Sequence, residues 1–518
     1  MVWSRYDADM ELVSLQAAAV EGVDGYIVHV EVSRSEPKTG TGRTTVVGLP
    51  DAAVRESIDR VTPAIFSSGL SHRPGDHLVV NLAPADRRKE GPAFDLAIAL
   101  GLAATMPENH LPPPPGDALF LAELALDGSL RPVRGVLACA IAGRDAGVKH
   151  VVCAPANAAE AAVVDGISVH APATLAEACL WLKSGLATAP VTVAIPPTME
   201  LHLGPDLGEV NGQENAKRAL LIAAAGNHNL LMMGPPGSGK TMLARRLPGL
   251  MPELTLAEAL DVTRVHSVAG LIPAGIGLVR IRPFRSPHHN VSAAGLVGGG
   301  SIPRPGEVSL AHHGVLFLDE LPEYPRTVLE NLRQPLEDGH LTISRAGGRL
   351  RFPCRTMLVA AMNPCPCGYL GHPTRRCTDN ADAVHRYRSR ISGPLLDRID
   401  LHLEVPAQRP DRMSQVTGGL DTATARAQVV AARERMLARQ GCANAALDSK
   451  GMRRHIHANP ESIKLLHQAV ESIGLSARAY DRILRVARTI ADLDGREGVS
   501  LEDISEAIGY RVLDRPAG

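Results

Sequence analysis

A chain of 518 residues is too long for a single small module, and at about 150 residues per domain it predicts three or four. Its 45% hydrophobic and 21% charged residues exclude disordered and collagen-like classes, and a formal net charge of −1 excludes a global electrostatic footprint for nucleic acid or an anionic membrane, so any such partner must be held locally. No uncharged apolar run reaches the roughly 20 residues that span a bilayer, and the acidic start MVWSRYDADMEL has no signal-peptide layout, so a cytoplasmic protein without membrane segments is expected.

In chain order, residues 25–32, 44–47, 77–81 and 150–153 read as strands and residues 51–68, 93–103 and 136–146 as helices, a mixed arrangement. Two Pro-rich stretches punctuate the chain: LPPPPGDA at 111–118, and GLATAPVTVAIPPTMELHLGPD at 185–206, which reads as an interdomain linker. From 211 to about 405, short apolar strands at 230–233, 315–318 and 357–361 recur between helical segments, the pattern of a parallel sheet wrapped by helices. After Pro406 the pattern is almost wholly helical, with candidate helices at 422–439, 460–473, 476–494 and 501–508 and a Ser, Thr or Asp near several starts. The expected fold class is α/β.

The strand at 230–233 runs directly into GPPGSGKT, that is Gly234, Pro235, Pro236, Gly237, Ser238, Gly239, Lys240 and Thr241, and then into a helical segment. Strand before and helix after is the context a phosphate-binding loop needs. Glycines let backbone N–H groups point at the phosphates, Lys240 neutralises phosphate oxygens, and Thr241 ligates Mg²⁺. Downstream, GVLFLDE reads as a buried strand ending in two carboxylates, Asp319 for the Mg²⁺ shell and Glu320 to polarise the attacking water as general base. A third strand, MLVAAMN, ends in Asn363, a neutral side chain suited to orienting that water. ATP and Mg²⁺ are the expected cofactors, and Lys240, Asp319 and Asn363 are expected at the carboxyl edge of one sheet.

These motifs, with SGPLLDRIDLHLEVP at 392–406, resemble the AAA+ ATPases of the magnesium-chelatase-like group. PFRSPHHNVSAAGLVGGGSIPRPGEVSLAHHGVLFLDELPE resembles the ComM/YifB family more specifically. The resemblance covers essentially the whole chain. It implies a Lon-protease-like domain over 1–183, a linker over 184–206, an AAA+ core over 207–405 with two channel-facing insertions, and a helical lid of the magnesium-chelatase C-terminal type over 406–518. It also implies that Arg398, in LLDRID, is the arginine finger that enters a neighbouring subunit's site. Arg478, in LSARAYDRILRVART, corresponds to the sensor 2 arginine, with Arg482 a turn away as its rival. A finger supplied in trans acts only where subunits meet, so catalysis requires a ring, which the family implies is a homo-hexamer.

The Lon-like resemblance rests on EGPAFDLAIALGLAA and on LDGSLRPVRGVLACAIAGRDAGVKHVVCAPANAAEA. Active Lon-type proteases use a Ser activated by a Lys, and those two positions fall here on Ala93 and Leu137. Neither side chain attacks or accepts a proton, so no peptidase activity is expected. Cys365, Cys367 and Cys377 crowd into NPCPCGYLGHPTRRCTD, a spacing that suits tetrahedral Zn²⁺, which wants four ligands. Where many relatives carry a fourth cysteine this chain has Thr378 and Asp379; a Zn²⁺ site completed by His372 or Cys354 and a loop of free cytosolic thiols both stand as readings.

Residues 340–356, HLTISRAGGRLRFPCRT, alternate around Ala346, Gly347 and Gly348 and read as a β-hairpin from which Arg345, Arg349 and Arg351 project. In related ring helicases a hairpin at this place lines the central channel and touches DNA. The Gly-rich VSAAGLVGGG at 291–300, preceded by Arg285, His288 and His289, looks like a second loop pointing the same way. The resemblance thus implies an ATP-dependent ring motor on single-stranded or branched DNA, a branch-migration helicase in recombination or transformation. Two other classes stay open: the motor subunit of a magnesium or cobalt chelatase, and a protein-remodelling AAA+ ATPase.

Overall fold

The computed structural model describes residues 11–35, 44–73, 76–184, 204–300, 303–345, 348–407 and 419–514. Most of the linker expected at 185–206 and the hairpin-turn residues Ala346 and Gly347 lie outside the described residues. The chain forms two compact units, one of Met1–Pro197 with Ala259–Val279, the other of Thr198–Glu258 with Arg280–Gly518. The first unit thus takes in a stretch from the midst of the second unit's sequence.

The first unit is built on a seven-stranded mixed sheet of β1 (Glu11–Glu21), β2 (Asp24–Ser35), β3 (Thr44–Val47), β4 (His77–Ala83), β5 (Ala118–Leu121), β6 (His150–Cys153) and β7 (Ser168–His170). Their order across the sheet is β3-β4-β2-β1-β5-β6-β7. β1 and β2 pair antiparallel from Glu11↔Arg34 to Glu21↔Asp24, turning through Gly22, whose φ of 70° suits glycine. β1 lies mid-sheet, yet its sequence ELVSLQAAAVE is interrupted by three consecutive alanines, weak strand formers, and is not among the strands the sequence predicts. Its alternate residues nevertheless serve two cores, Leu15, Ala17 and Ala19 on one face and Ala18 on the other. The single helix expected over 51–68 is divided into Ala52–Arg55 and Ser57–Ser67. At the break the Ser57 hydroxyl donates to the buried Asp95 carboxylate at 2.5 Å, and Arg60 Nε joins it at 2.9 Å.

The second unit is built on a five-stranded sheet of β8 (Leu230–Met233), β9 (Phe284–Arg285), β10 (Val315–Leu318), β11 (Met357–Met362) and β12 (Leu401–Glu404). All run parallel, in the order β9-β10-β11-β8-β12. Leu230, Met232, Val315, Phe317 and Val359 enter one core, while Leu231, Met233, Leu316, Leu318 and Leu358 enter the other. Burial on both faces explains why β8, β10 and β11 are unbroken apolar runs without alternation. The first of these cores is roofed by the helices Glu214–Gly226, Thr422–Gln440 and Ala477–Leu493.

The C-terminal helices start where their caps put them. Asp421, Asn459, Ser476 and Ser500 each accept a backbone N–H three residues on, and Ser500 forms a capping box with Asp503. A buried hydrogen-bonded chain ties these helices to β12: Asp400 to His228 Nδ1 at 3.3 Å, His228 Nε2 to Thr489 Oγ1 at 2.8 Å, Thr489 to Asn444 at 3.0 Å, and Asn444 to Asp492 at 2.9 Å. Burial would raise the Asp492 carboxyl, but Arg439, Arg488 and Asn444 overcome it and hold the group below the ordinary aspartate range. Among the described residues no helix is long and apolar enough to cross a membrane.

Candidate functional site: a phosphate-binding loop at the sheet edge

The loop after β8 is clamped between its neighbours. Gly234 donates to Met362 O at 3.2 Å and Val405 donates to Met233 O at 2.7 Å. A Cβ at position 234 would stand 2.1 Å from the Val405 carbonyl oxygen, so only glycine fits there. Gly237 and Gly239 take φ of 76° and 89°, which opens the backbone into a cradle. Inside it the Ser238 hydroxyl is buried with no hydrogen-bond partner among the described residues. An unpartnered buried hydroxyl in a glycine cradle at the start of the helix Lys240–Ala244 fits a triphosphate.

Lys240 Nζ donates to Gly234 O at 2.7 Å, Pro235 O at 3.0 Å and Asn363 Oδ1 at 3.4 Å. Burial depresses the Lys240 ammonium below the usual lysine range, against the pull of Asp319 and Glu320. Thr241 Oγ1 donates to Asp319 Oδ2 at 2.7 Å, so the hydroxyl and carboxylate suited to Mg²⁺ converge on one point. Lys240, Thr241, Asp319 and Asn363 are therefore brought together as the sequence predicts, at the carboxyl ends of β8, β10 and β11. Glu320 follows in the left-handed region at φ 51°, its N–H donating to Asp319 Oδ1 at 2.9 Å.

The two arginines are held elsewhere. Arg398 donates to Arg333 O at 3.0 Å and Pro394 O at 2.8 Å and pairs with Glu337. Arg478 is 61% exposed and stands 3.8 Å from Asp397. Its rival Arg482 is committed to the buried Asp400 carboxylate, whereas Arg478 is the more exposed of the two.

The cysteine loop packs on the phosphate loop: Gly368, at φ 82°, is so close to Pro236 that a Cβ would meet its Cδ at 2.6 Å. Cys365 Sγ lies 3.3 Å from Cys367 Sγ and 3.6 Å from Cys377 Sγ, and Cys367 and Cys377 are 3.5 Å apart. Neither His372 nor Cys354 completes this cluster. His372 Nδ1 accepts N–H groups of Thr374 and Arg375, and the Cys354 thiol faces Pro335 O. Asp379 does complete it, its Oδ2 accepting the Cys367 N–H at 2.7 Å, and the four ligand atoms lie within 4.8 Å of one another.

The expected hairpin is present as His340–Arg345 and Gly348–Pro353, in register from His340↔Pro353 to Arg345↔Gly348. Leu341 and Phe352 are buried, whereas Thr342, Ser344, Arg349 and Arg351 are exposed on the opposite face. The second insertion, the helix Ala293–Val297 and the pair Gly298–Gly299 with Arg304–Pro305, lies beside it: a Cβ at Gly298 would be 3.5 Å from Ile343. Arg285 is not a free cation there, since Glu307 takes its guanidinium at 2.6 and 2.8 Å.

Three residues of the site escaped the sequence reading as such. Gln213, at φ 56°, donates from Nε2 to Ser238 O at 2.8 Å and steadies the loop. The buried Tyr324 donates its hydroxyl to Pro287 O at 2.6 Å, and burial, then the charges of Asp319 and Glu320, push its phenol well above the ordinary range. His289 Nδ1 stands 3.4 Å from Glu320 Oε2. No local pattern marks any of the three for this role.

Three family profiles match the chain: magnesium chelatase, subunit ChlI over residues 206–413; subunit ChlI of Mg-chelatase over 30–157; and magnesium chelatase, subunit ChlI C-terminal over 419–511. Competence protein ComM of Haemophilus influenzae is 43% identical over 518 residues, and YifB of Escherichia coli 42% over 512 residues, each alignment covering 98% of both chains. The magnesium-chelatase 38 kDa subunit of Rhodobacter capsulatus is 29% identical over 171 residues, 30% of this chain and 48% of that one.

Proposed function

The chain belongs to the ComM/YifB family of magnesium-chelatase-like AAA+ proteins, and from that membership we propose that it is an ATP-driven ring motor acting on single-stranded or branched DNA in the cytoplasm, a branch-migration helicase of recombination or transformation. AAA+ membership implies an ATPase that uses ATP and Mg²⁺. Thr241 and Asp319 would hold the Mg²⁺, which when bound neutralises charge on the β- and γ-phosphates. Lys240 and the loop N–H groups bind the triphosphate, Glu320 takes a proton from the attacking water, and Asn363 orients that water. Arg398 is the finger given to a neighbouring protomer of a homo-hexamer, and Arg478 is the lid's sensor.

The observation that carries the DNA reading is the pair of adjoining insertions in the ATPase unit, one of which turns Arg349 and Arg351 outward on a polar hairpin face. Arg345 belongs to the same hairpin strand pair. Repeated around a ring, such faces concentrate positive charge in one channel while the chain's net charge stays at −1. The chelatase relative matches 30% of this chain, whereas ComM matches 98% of it, which favours the DNA motor over a chelatase subunit. In this reading the first unit is a Lon-type domain without peptidase chemistry: Ala93 stands at the nucleophile position, and the buried Leu137 at the lysine position donates its N–H to Glu160 at 2.8 Å.

Full-length protein with ATP tests the proposal. Hydrolysis rises on adding a single-stranded oligonucleotide or a synthetic four-way junction, the rise is lost between about 50 and 200 mM salt as phosphate contacts are screened, and the labelled junction is resolved into duplexes. No stimulation by either DNA at low salt removes the DNA motor.

The cysteine loop is the Zn²⁺ site of this proposal, with Asp379 in the place of a fourth thiolate. Sulfurs 3.3 to 3.6 Å apart fit around one ion at about 2.3 Å from each. Purified protein is expected to carry one Zn²⁺ per chain by elemental analysis, and Asp379→Ala to lose most of it. A metal-free wild type after reconstitution with Zn²⁺ would leave these groups as free thiols.

A further inference from the structure

The cysteine loop has almost no core of its own. Of the described residues between Cys365 and Asp379 only Cys365 and Gly368 are buried, and Pro373, Thr374, Arg375 and Arg376 are all exposed. Burial contributes little to its shape, so what fixes the loop is the convergence of three sulfurs and the Asp379 carboxylate within 4.8 Å of one another. Its ends are tied down as well. Arg388 Nε donates to Pro364 O at 3.1 Å, and Asn380 caps the helix Ala381–Arg388 by accepting the Ala383 N–H at 2.8 Å. What this loop shapes is the nucleotide cradle. It leaves β11 directly after Asn363, whose Oδ1 accepts from Lys240 Nζ at 3.4 Å. Within it the Gly368 N–H donates to Cys365 O at 3.0 Å, which closes a turn around the ligands Cys365 and Cys367. Gly368 then meets the phosphate loop: a Cβ there would stand 2.6 Å from Pro236 Cδ, 2.9 Å from Pro236 Cγ and 3.9 Å from Asn363 Cγ.

We infer that the metal loop is a brace for the phosphate loop, and that Gly368 is the positioning residue through which it acts. With Cys365, Cys367, Cys377 and Asp379 drawn around one Zn²⁺, Gly368 seats Pro236, and with it the N–H groups of the cradle, where a triphosphate needs them. The inference rests on the readings of this loop as a Zn²⁺ site and of Gly234 to Thr241 as an ATP site. It adds a link between them: nucleotide affinity depends on a metal bound outside the phosphate loop. Without the ion the loop has no burial to hold it, and the wall behind Pro236 loosens. A side chain at 368 acts from the other direction. An ordinary carbon–carbon contact is about 3.5–4.0 Å, so Pro236 has to retreat by about 1 Å, and either change costs the cradle its preorganisation.

ATP binding by the full-length chain, read from the fluorescence of a labelled nucleotide with Mg²⁺ present, tests this without calling on hydrolysis. Stripping Zn²⁺ with a chelator, removing the chelator and returning Mg²⁺ weakens binding about tenfold or more, the loss that goes with one charged hydrogen bond, and added Zn²⁺ restores it. Gly368→Ala keeps one Zn²⁺ per chain by elemental analysis yet shows a similar loss of ATP affinity. Gly371→Ala is the control. At φ 77° it carries the same left-handed strain in the same loop, but a Cβ there meets no described atom within 4 Å, so Zn²⁺ content and ATP affinity stay as in wild type. Wild-type affinity in Gly368→Ala or in the metal-free protein overturns the brace, as does an equal loss in Gly371→Ala, which would make the effect one of loop strain. The metal-free comparison decides the matter if Gly368→Ala does not fold. A chain that takes up no Zn²⁺ on reconstitution, or a Zn²⁺-loaded chain that binds no ATP, also overturns the brace, and each tells which of the two underlying readings has failed.

Discussion

Arg398→Ala lowers the ATP turnover of the assembled protein by about 10³-fold or more while each chain still binds nucleotide, because a finger acts on charge that develops at the γ-phosphoryl group and not on the bound ground state. Within one chain the guanidinium is 12% exposed and its partners are Arg333 O, Pro394 O and Glu337, none of them in the chain's own phosphate loop. In the proposed ring its chemistry would be delivered across a subunit boundary. A mixing experiment separates that role from a structural one. Arg398→Ala and Glu320→Gln chains are each inactive alone, but a mixed ring contains interfaces with an intact pocket from the first and an intact arginine from the second. Recovery of a measurable fraction of wild-type turnover on mixing is the expected outcome. Full activity of the Arg398→Ala protein, or no recovery on mixing, would show that the arginine does not act in trans.

Glu320→Gln is expected to cost about 10²- to 10⁴-fold in turnover, the usual contribution of a positioned base, and to leave ATP affinity within a few-fold of wild type. The reason is geometric. The bond between Thr241 and Asp319 at 2.7 Å, and those of Lys240 to the loop carbonyls and Asn363, do not involve the Glu320 side chain. The amide keeps the shape and the acceptor oxygen but has lost the basicity that proton removal needs. Filter binding of labelled ATP should show a long-lived complex. Rapid hydrolysis by this variant would move the base to another residue; loss of binding would make Glu320 part of the cradle.

The geometry of the candidate nucleotide site was almost fully legible because its determinants are local. A four-residue apolar run, glycines at turns that need φ above zero, a lysine at a helix start and a carboxylate after a second apolar run are all read from neighbours in sequence. The C-terminal helices were legible for the same reason, since a cap acts three residues away. The cysteine loop was half legible. Its three thiols are close in sequence, but Asp379 read as a departure from a four-cysteine pattern, and folding turns that carboxylate onto the Cys367 N–H.

What the amino-acid order conveyed, then, is whatever backbone sterics and burial impose over a few residues: the strands of the parallel sheet, the phosphate cradle, the two carboxylates and the hairpin. Packing alone revealed the rest: β1 in the middle of a sheet, residues 259–279 joined to the first unit, Arg482 tied to Asp400 while Arg478 stays exposed, and His289 against Glu320. These pairings join residues far apart along the chain. The entropy of closing such loops grows only slowly with their length, so the order of strands and the shape of the cores select the partner, and no local signature announces it.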